Sequence, residues 1–154
     1  MSGDWNQALA RVPELLAAHV QLSFSALLLA MLICLPLAIW AARSPRVAGI
    51  ALAVASLIQT IPGLALLALF YPLLLGVSAL VGGGISAFGF LPALCALTLY
   101  ALLPILRNAV TGLTGVDPAA REAADGLGMT AWQKLRLVEA PLAAPTIMAG
   151  IRTA

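Results

Sequence analysis

Two long stretches of this chain carry no charge. No Asp, Glu, Lys or Arg occurs in residues 15–42, and none in residues 47–106. A single helix over 47–106 would be about 90 Å long, three times the roughly 30 Å of a bilayer's hydrocarbon core, so that stretch must turn back on itself. Composition agrees: 62% of the residues are hydrophobic and 9% are charged, and the mean hydropathy is +1.05. A water-soluble domain carries about 25% charged residues. With a net charge of +2 and no basic block, nucleic-acid binding has no electrostatic basis either. The expectation is an all-α, polytopic helical membrane protein.

The spans are expected near 20–42, 47–75 and 92–109. Gly82-Gly83-Gly84 interrupts the longer stretch, because helix propensity collapses there. The second span is long enough to tilt or kink, with Pro62 and Pro72 as kink sites. Residues 77–90 read as a loop or re-entrant turn. A cleaved leader fits poorly, since the first apolar stretch exceeds a 7–15-residue h-region and Asp4 and Glu14 offset Arg11. Arg43 and Arg46 come after the first span, and Arg107, Arg121, Lys134 and Arg136 after the third, while the connection between spans two and three is uncharged. The positive-inside rule then puts the N-terminus outside and the region after Arg107 in the cytoplasm. Residues 140–151 are again uncharged but too few to cross, and read as the start of a fourth span. A piece of a longer membrane protein is therefore expected, with one transmembrane domain over 1–154.

Few residues inside the spans offer chemistry. No acidic residue occurs between Glu14 and Asp117, so proton relays and carboxylate-coupled pumping lack their groups. His19 reads as an interfacial residue. Cys34 and Cys95 sit in apolar surroundings as small hydrophobes, and two thiols are not a metal ligand set. No Gly-rich phosphate loop ending in Lys-Ser/Thr is present, so the chain is not expected to hydrolyse ATP. Gln59, Thr60 and Pro62 are the exceptions. An amide facing lipid would leave its donors unpaired, so Gln59 should face protein or a watery path. Its two readings are interhelical glue and a pathway-lining residue.

The polar segment 115–139 has clear helix grammar. Asp117 is placed as an N-cap with Pro118 at the first helical position, and Gly126-Leu127-Gly128 ends the helix they start. Thr130 and Gln133 form a capping box that starts a second one. Two short helices joined at a glycine elbow, between two spans, make a protruding docking element.

Those residues carry a resemblance. Glu122-Ala123-Ala124, then Gly128 after three residues, then Val138, Ala140 and Pro141 resemble the EAA loop of ABC-importer permeases, whose pattern is EAA, a glycine, and I-x-L-P nine residues on. Val138 stands for the isoleucine and Ala140 for the leucine, so one apolar contact shrinks while the spacing holds. Gln59-Thr60-Ile61-Pro62-Gly63, Leu103-Pro104-Ile105-Leu106-Arg107-Asn108, Gly115-Val116-Asp117-Pro118 and the closing Ala149-Gly150-Ile151-Arg152-Thr153-Ala154 look like the osmoprotectant branch of the binding-protein-dependent transport inner-membrane family. That branch imports glycine betaine, carnitine and choline.

The resemblance implies an importer-type ABC transmembrane domain, C-terminally incomplete, in the cell inner membrane. Its segment 115–139 would be the cytoplasmic coupling loop, seating in a cleft of an ABC ATPase dimer that binds ATP and Mg. Further partners implied are a second permease copy or homologue and an extracytoplasmic substrate-binding protein or domain. Glu122, Ala123, Ala124, Gly126, Gly128, Met129, Trp132 and Pro141 are the expected coupling residues, with Leu135 as a further apolar anchor and Glu122 favouring the helix dipole. Gln59, Thr60 and Pro62 would belong to the translocation path. The alternatives are a permease of an amino-acid or methionine ABC importer, a small structural or holin-like membrane protein, and half of a secondary transporter. The structural or holin-like reading does not explain the EAA spacing, and the secondary-transporter reading lacks internal repeats and coupling carboxylates.

Overall fold

The computed structural model describes the backbone of residues 2–154 and the side chains of residue 7 and residues 9–154. Asp4, one of the charges set against a cleaved leader, lies outside the described side chains. Every regular element among the described residues is helical. The chain runs α1 (Ser2–Arg43), α2 (Pro45–Thr60), α3 (Gly63–Leu80), α4 (Phe90–Thr114), α5 (Pro118–Gly126), α6 (Ala131–Lys134), a π-helical turn (Leu135–Glu139) and α7 (Ala140–Thr153). Three of these helices, α1, α3 and α4, are long and apolar enough to cross a membrane.

α4 is the axis of the bundle, packed by α1, α7, α2 and α3. Its partner α1 meets it along a seam of small residues: Ala26, Ala30, Cys34, Ala38 and Ala41, each at most 3% exposed. Their spacing of four, four, four and three puts them on one helix face. Water does not drive helices together in lipid, so close backbone approach through such small side chains supplies the contact instead. Facing them are Ala101, Ile105, Leu106, Ala109 and Leu113 of α4, in the same buried cluster. The Cys34 thiol donates to the Leu102 carbonyl at 3.4 Å, tying the seam to α4.

The approach of α7 to α4 is closer still. A Cβ on Gly150 would lie 2.6 Å from the Asn108 Cβ and 2.8 Å from the Pro104 carbonyl oxygen. On the α4 side, a Cβ on Gly112 would meet the Ala143 carbonyl at 3.1 Å.

The helices depart from the expected spans for reasons of local chemistry. The single span at 47–75 is instead two helices, α2 and α3, separated at Ile61 and Pro62, both of which are extended. A proline drives the residue before it out of the α region, so Pro62 breaks the helix rather than bending it. Pro72 stays inside α3. The loop expected at 77–90 begins only after Leu80, because propensity fails at the glycines and not before them. Gly82, Gly83 and Gly84 all have φ near +90°, where side chains are strained. α1 and α4 both outrun the spans at 20–42 and 92–109. Charged residues such as Arg11 and Arg107 limit what lipid can cover but do not stop a helix.

Candidate functional site

The polar segment folds as its caps dictate. The Asp117 carboxylate accepts the Ala119 N–H at 2.9 Å, and Pro118 opens α5. The helix ends at Gly126, and Gly128 turns the chain with φ +71°. Beyond it the capping box forms in full: Thr130 N–H donates to Gln133 Oε1 at 2.8 Å, and Gln133 N–H to Thr130 Oγ at 3.3 Å. Lys134 Nζ reaches Asp125 at 2.5 Å, bracing the elbow from α6 to α5. The carboxylate end of this pair is solvated, so it adds little stability.

The expected coupling residues do not all face one way. Glu122, Ala123, Gly126, Gly128, Trp132 and Pro141 are exposed, and Met129 is half-buried. Ala124 is buried and Leu135 lies in the core cluster, so neither presents its side chain to a partner. Glu122 is the fifth residue of α5, past the first turn where a carboxylate helps the helix dipole. Leu127 joins the set that faces outward: it is 76% exposed at the elbow, and Trp132 is 65% exposed. A large apolar side chain between two glycines is the sequence signal for it.

Glu139 is a second residue that sequence reasoning does not single out. It is the one buried acid among the described residues, 1% exposed. Arg43, the last residue of α1, grips it with both ends of its guanidinium: Nη1 donates to Oε1 at 3.0 Å and Nη2 to Oε2. Arg121 of α5 brings Nε to 3.2 Å from Oε1, as an ion pair rather than an aligned hydrogen bond, and donates through Nη2 to the Leu113 carbonyl of α4. The π-helical turn ahead of Glu139 has a local cause. Pro141 lacks an N–H, and its ring would press on the carbonyl four residues back. The chain widens instead, with Ala140 N–H donating to the Leu135 carbonyl. One extra residue in a turn rotates every later residue by about 100° around the axis.

The break between α2 and α3 is stitched to α4 by two reciprocal bonds. Pro104 inside α4 has no N–H, which leaves the Tyr100 carbonyl four residues earlier without its helical donor. Gln59 Nε2 donates to that carbonyl at 2.9 Å. In return the Tyr100 hydroxyl donates to the Ile61 carbonyl, freed by the break itself. Within lipid every backbone group needs a partner, and here side chains supply two. Thr60 bonds locally to the Leu57 carbonyl at 2.7 Å. Beside the break lies an apolar cavity of about 550 Å³ lined by residues including Ser23, Gly63, Leu67, Ala96 and Tyr100. Gln59, Thr60 and Pro62 are exposed but do not line it. Tyr100→Phe removes the donor and leaves the Ile61 carbonyl unpaired, at an expected cost of about 1–3 kcal/mol. Chemical unfolding of the detergent-solubilised protein reads that loss, and an unchanged midpoint would mean the carbonyl finds another donor.

Residues 34–154, from the middle of α1 to the end of α7, match the family described as binding-protein-dependent transport system inner membrane component. The chain belongs to this family. Similar members include a glycine betaine/carnitine/choline transport system permease protein of Bacillus subtilis, 43% identical over 88% of this chain and 57% of that protein. A choline transport system permease protein of the same organism is 45% identical over 88% and 57%. An osmoprotectant import permease protein of Salmonella typhimurium is 46% identical over 88% and 60%. The chain thus spans somewhat more than half the length of these relatives. The family is one of multi-pass membrane components of transport systems, in keeping with the apolar helices.

Proposed function

We propose that this chain forms part of the permease subunit of an ATP-driven importer of small osmoprotectants of the glycine betaine, choline and carnitine type. The observation that carries the reading is the element α5–elbow–α6. Its two capped helices project from an apolar bundle and present Ala123, Gly126, Leu127, Gly128 and Trp132 outward, at the spacing of the EAA loop. Small residues let a partner's surface come close, and a large aromatic at the rim supplies an anchor. The partner is a cytoplasmic ABC ATPase dimer, which holds ATP and Mg and performs the hydrolysis. Arg43, Arg46, Arg107, Arg121, Lys134 and Arg136 favour a cytoplasmic position for this face and an outside N-terminus. The substrate comes from an extracytoplasmic binding protein or domain and passes between this permease and a second copy or homologue. Gln59, Thr60 and Pro62, exposed at the break in the second span, belong to that path. The substrate class rests on the names of the relatives, all permeases of osmoprotectant, choline or carnitine systems.

The test is uptake of radiolabelled glycine betaine, choline and carnitine by cells that express the full-length permease with its ATPase and binding protein and have no other such importer. Uptake of at least one ligand is expected, and its loss when the ATPase is made hydrolysis-deficient. Uptake that survives that change would overturn the coupling.

A further inference from the structure

We propose that Glu139 is the positioning residue that makes the docking helix α5 and the membrane helices α1, α4 and α7 move together. The inference rests on the reading of α5 as the ATPase-docking element and names how displacement of α5 is passed on.

α5 has little hold on the membrane helices otherwise. Only Ala124 of its residues is buried, and the helix packs mainly on α6 and the π-helical turn. Its link to the bundle is Arg121, which donates to the Leu113 carbonyl of α4 and pairs by charge with Glu139. Glu139 in turn is held at both oxygens by Arg43 at the end of α1, and it leads directly into α7. One carboxylate therefore joins α5 to α1, to α7 and, through Arg121, to α4. The bidentate Arg43–Glu139 pair fixes the orientation of the carboxylate between α1 and α7, so Arg121 of α5 meets a charge whose position is set by the bundle. Glu139 is buried while the Arg43 and Arg121 side chains stay 43% and 31% exposed, so the pairing mainly offsets the cost of burying the carboxylate, and stability alone is a weak reason to keep it here. Directional coupling is a reason.

The roles separate in the assembled importer, full-length permease with its ATPase and binding protein, reconstituted in proteoliposomes. Substrate uptake and ATP hydrolysis are measured together with the amount of ATPase retained. Glu139→Gln keeps the shape and removes the charge. It is expected to retain the ATPase and its hydrolysis while substrate moved per ATP falls about tenfold. Arg121→Gln, which detaches α5 and leaves the Arg43 pair intact, is expected to do the same. Glu139→Asp keeps the charge and is expected to recover most of the lost ratio. A wild-type ratio in both Gln variants would overturn the proposal. So would a parallel fall of uptake, hydrolysis and assembly, which is what a merely structural residue gives. If the wild-type permease retains no ATPase at all, the docking reading fails, and this inference fails with it.

Discussion

A full-length permease carrying Gly128→Trp is expected to insert in the membrane in normal amount but to lose the proposed ATPase partner on purification, by about tenfold or more, equivalent to at least about 1.4 kcal/mol of binding. Gly128 sits at φ +71° with nothing within 4 Å of where a Cβ would be. The new side chain therefore starts into open space at the elbow, where Leu127 and Trp132 are already exposed. A surface that docks through close backbone approach cannot accept that bulk. Strain from a tryptophan at positive φ is a separate effect, and Gly128→Asn isolates it, because asparagine tolerates this conformation. The asparagine variant is expected to keep its ATPase. Co-purification of the tryptophan variant at the wild-type ratio would remove the elbow from the docking surface.

Gly150→Leu is expected to act on the fold instead. Even a single methyl at this position would lie 2.6 Å from the Asn108 Cβ and 2.8 Å from the Pro104 oxygen. Asn108 is itself fixed, since its Nδ2 donates to that same carbonyl at 2.8 Å. With a backbone atom on one side and a tethered side chain on the other, only a shift of α7 away from α4 makes room. Overpacking of this kind costs about 1–3 kcal/mol and sometimes more. For a protein of this size the unfolding midpoint should fall by roughly 2–12 °C, at about 2–4 °C per kcal/mol. A thermal aggregation profile of the detergent-solubilised permease measures it. A midpoint within a degree of wild type would mean that α7 is free to move away from α4 without loss.

The parts of this structure that are readable from sequence are those decided within a few residues. The Asp117–Pro118 helix start, the glycine elbow and the Thr130–Gln133 box all form as their local chemistry requires. Membrane character is as direct, from two charge-free stretches. The features that escape depend on partners distant in sequence. Glu139 looks like any loop acid until Arg43, 96 positions earlier, closes on it. Ala124 and Leu135 match a docking pattern by spacing, yet tertiary packing turns them inward. The break at Ile61 is legible in principle, since the rule on residues before proline is local. A kink within one long span is the reading that hydropathy alone supports, and hydropathy does not register backbone geometry. Nor does it show that the amide of Gln59 serves a carbonyl of α4 while the hydroxyl of Tyr100 serves the Ile61 carbonyl at the break.

That exchange has a consequence for how such a chain tolerates substitution. Gln59 is needed where it is because Pro104 withholds a donor from Tyr100. Replace Pro104 with an ordinary helix former and the carbonyl is satisfied within α4, so Gln59 becomes an unemployed amide at a helix end. Remove Gln59 first, and the proline becomes a defect. The two positions lie 45 residues apart, on different helices, yet each gives the other its use. Replacing both together is therefore expected to cost less than the sum of the two single replacements.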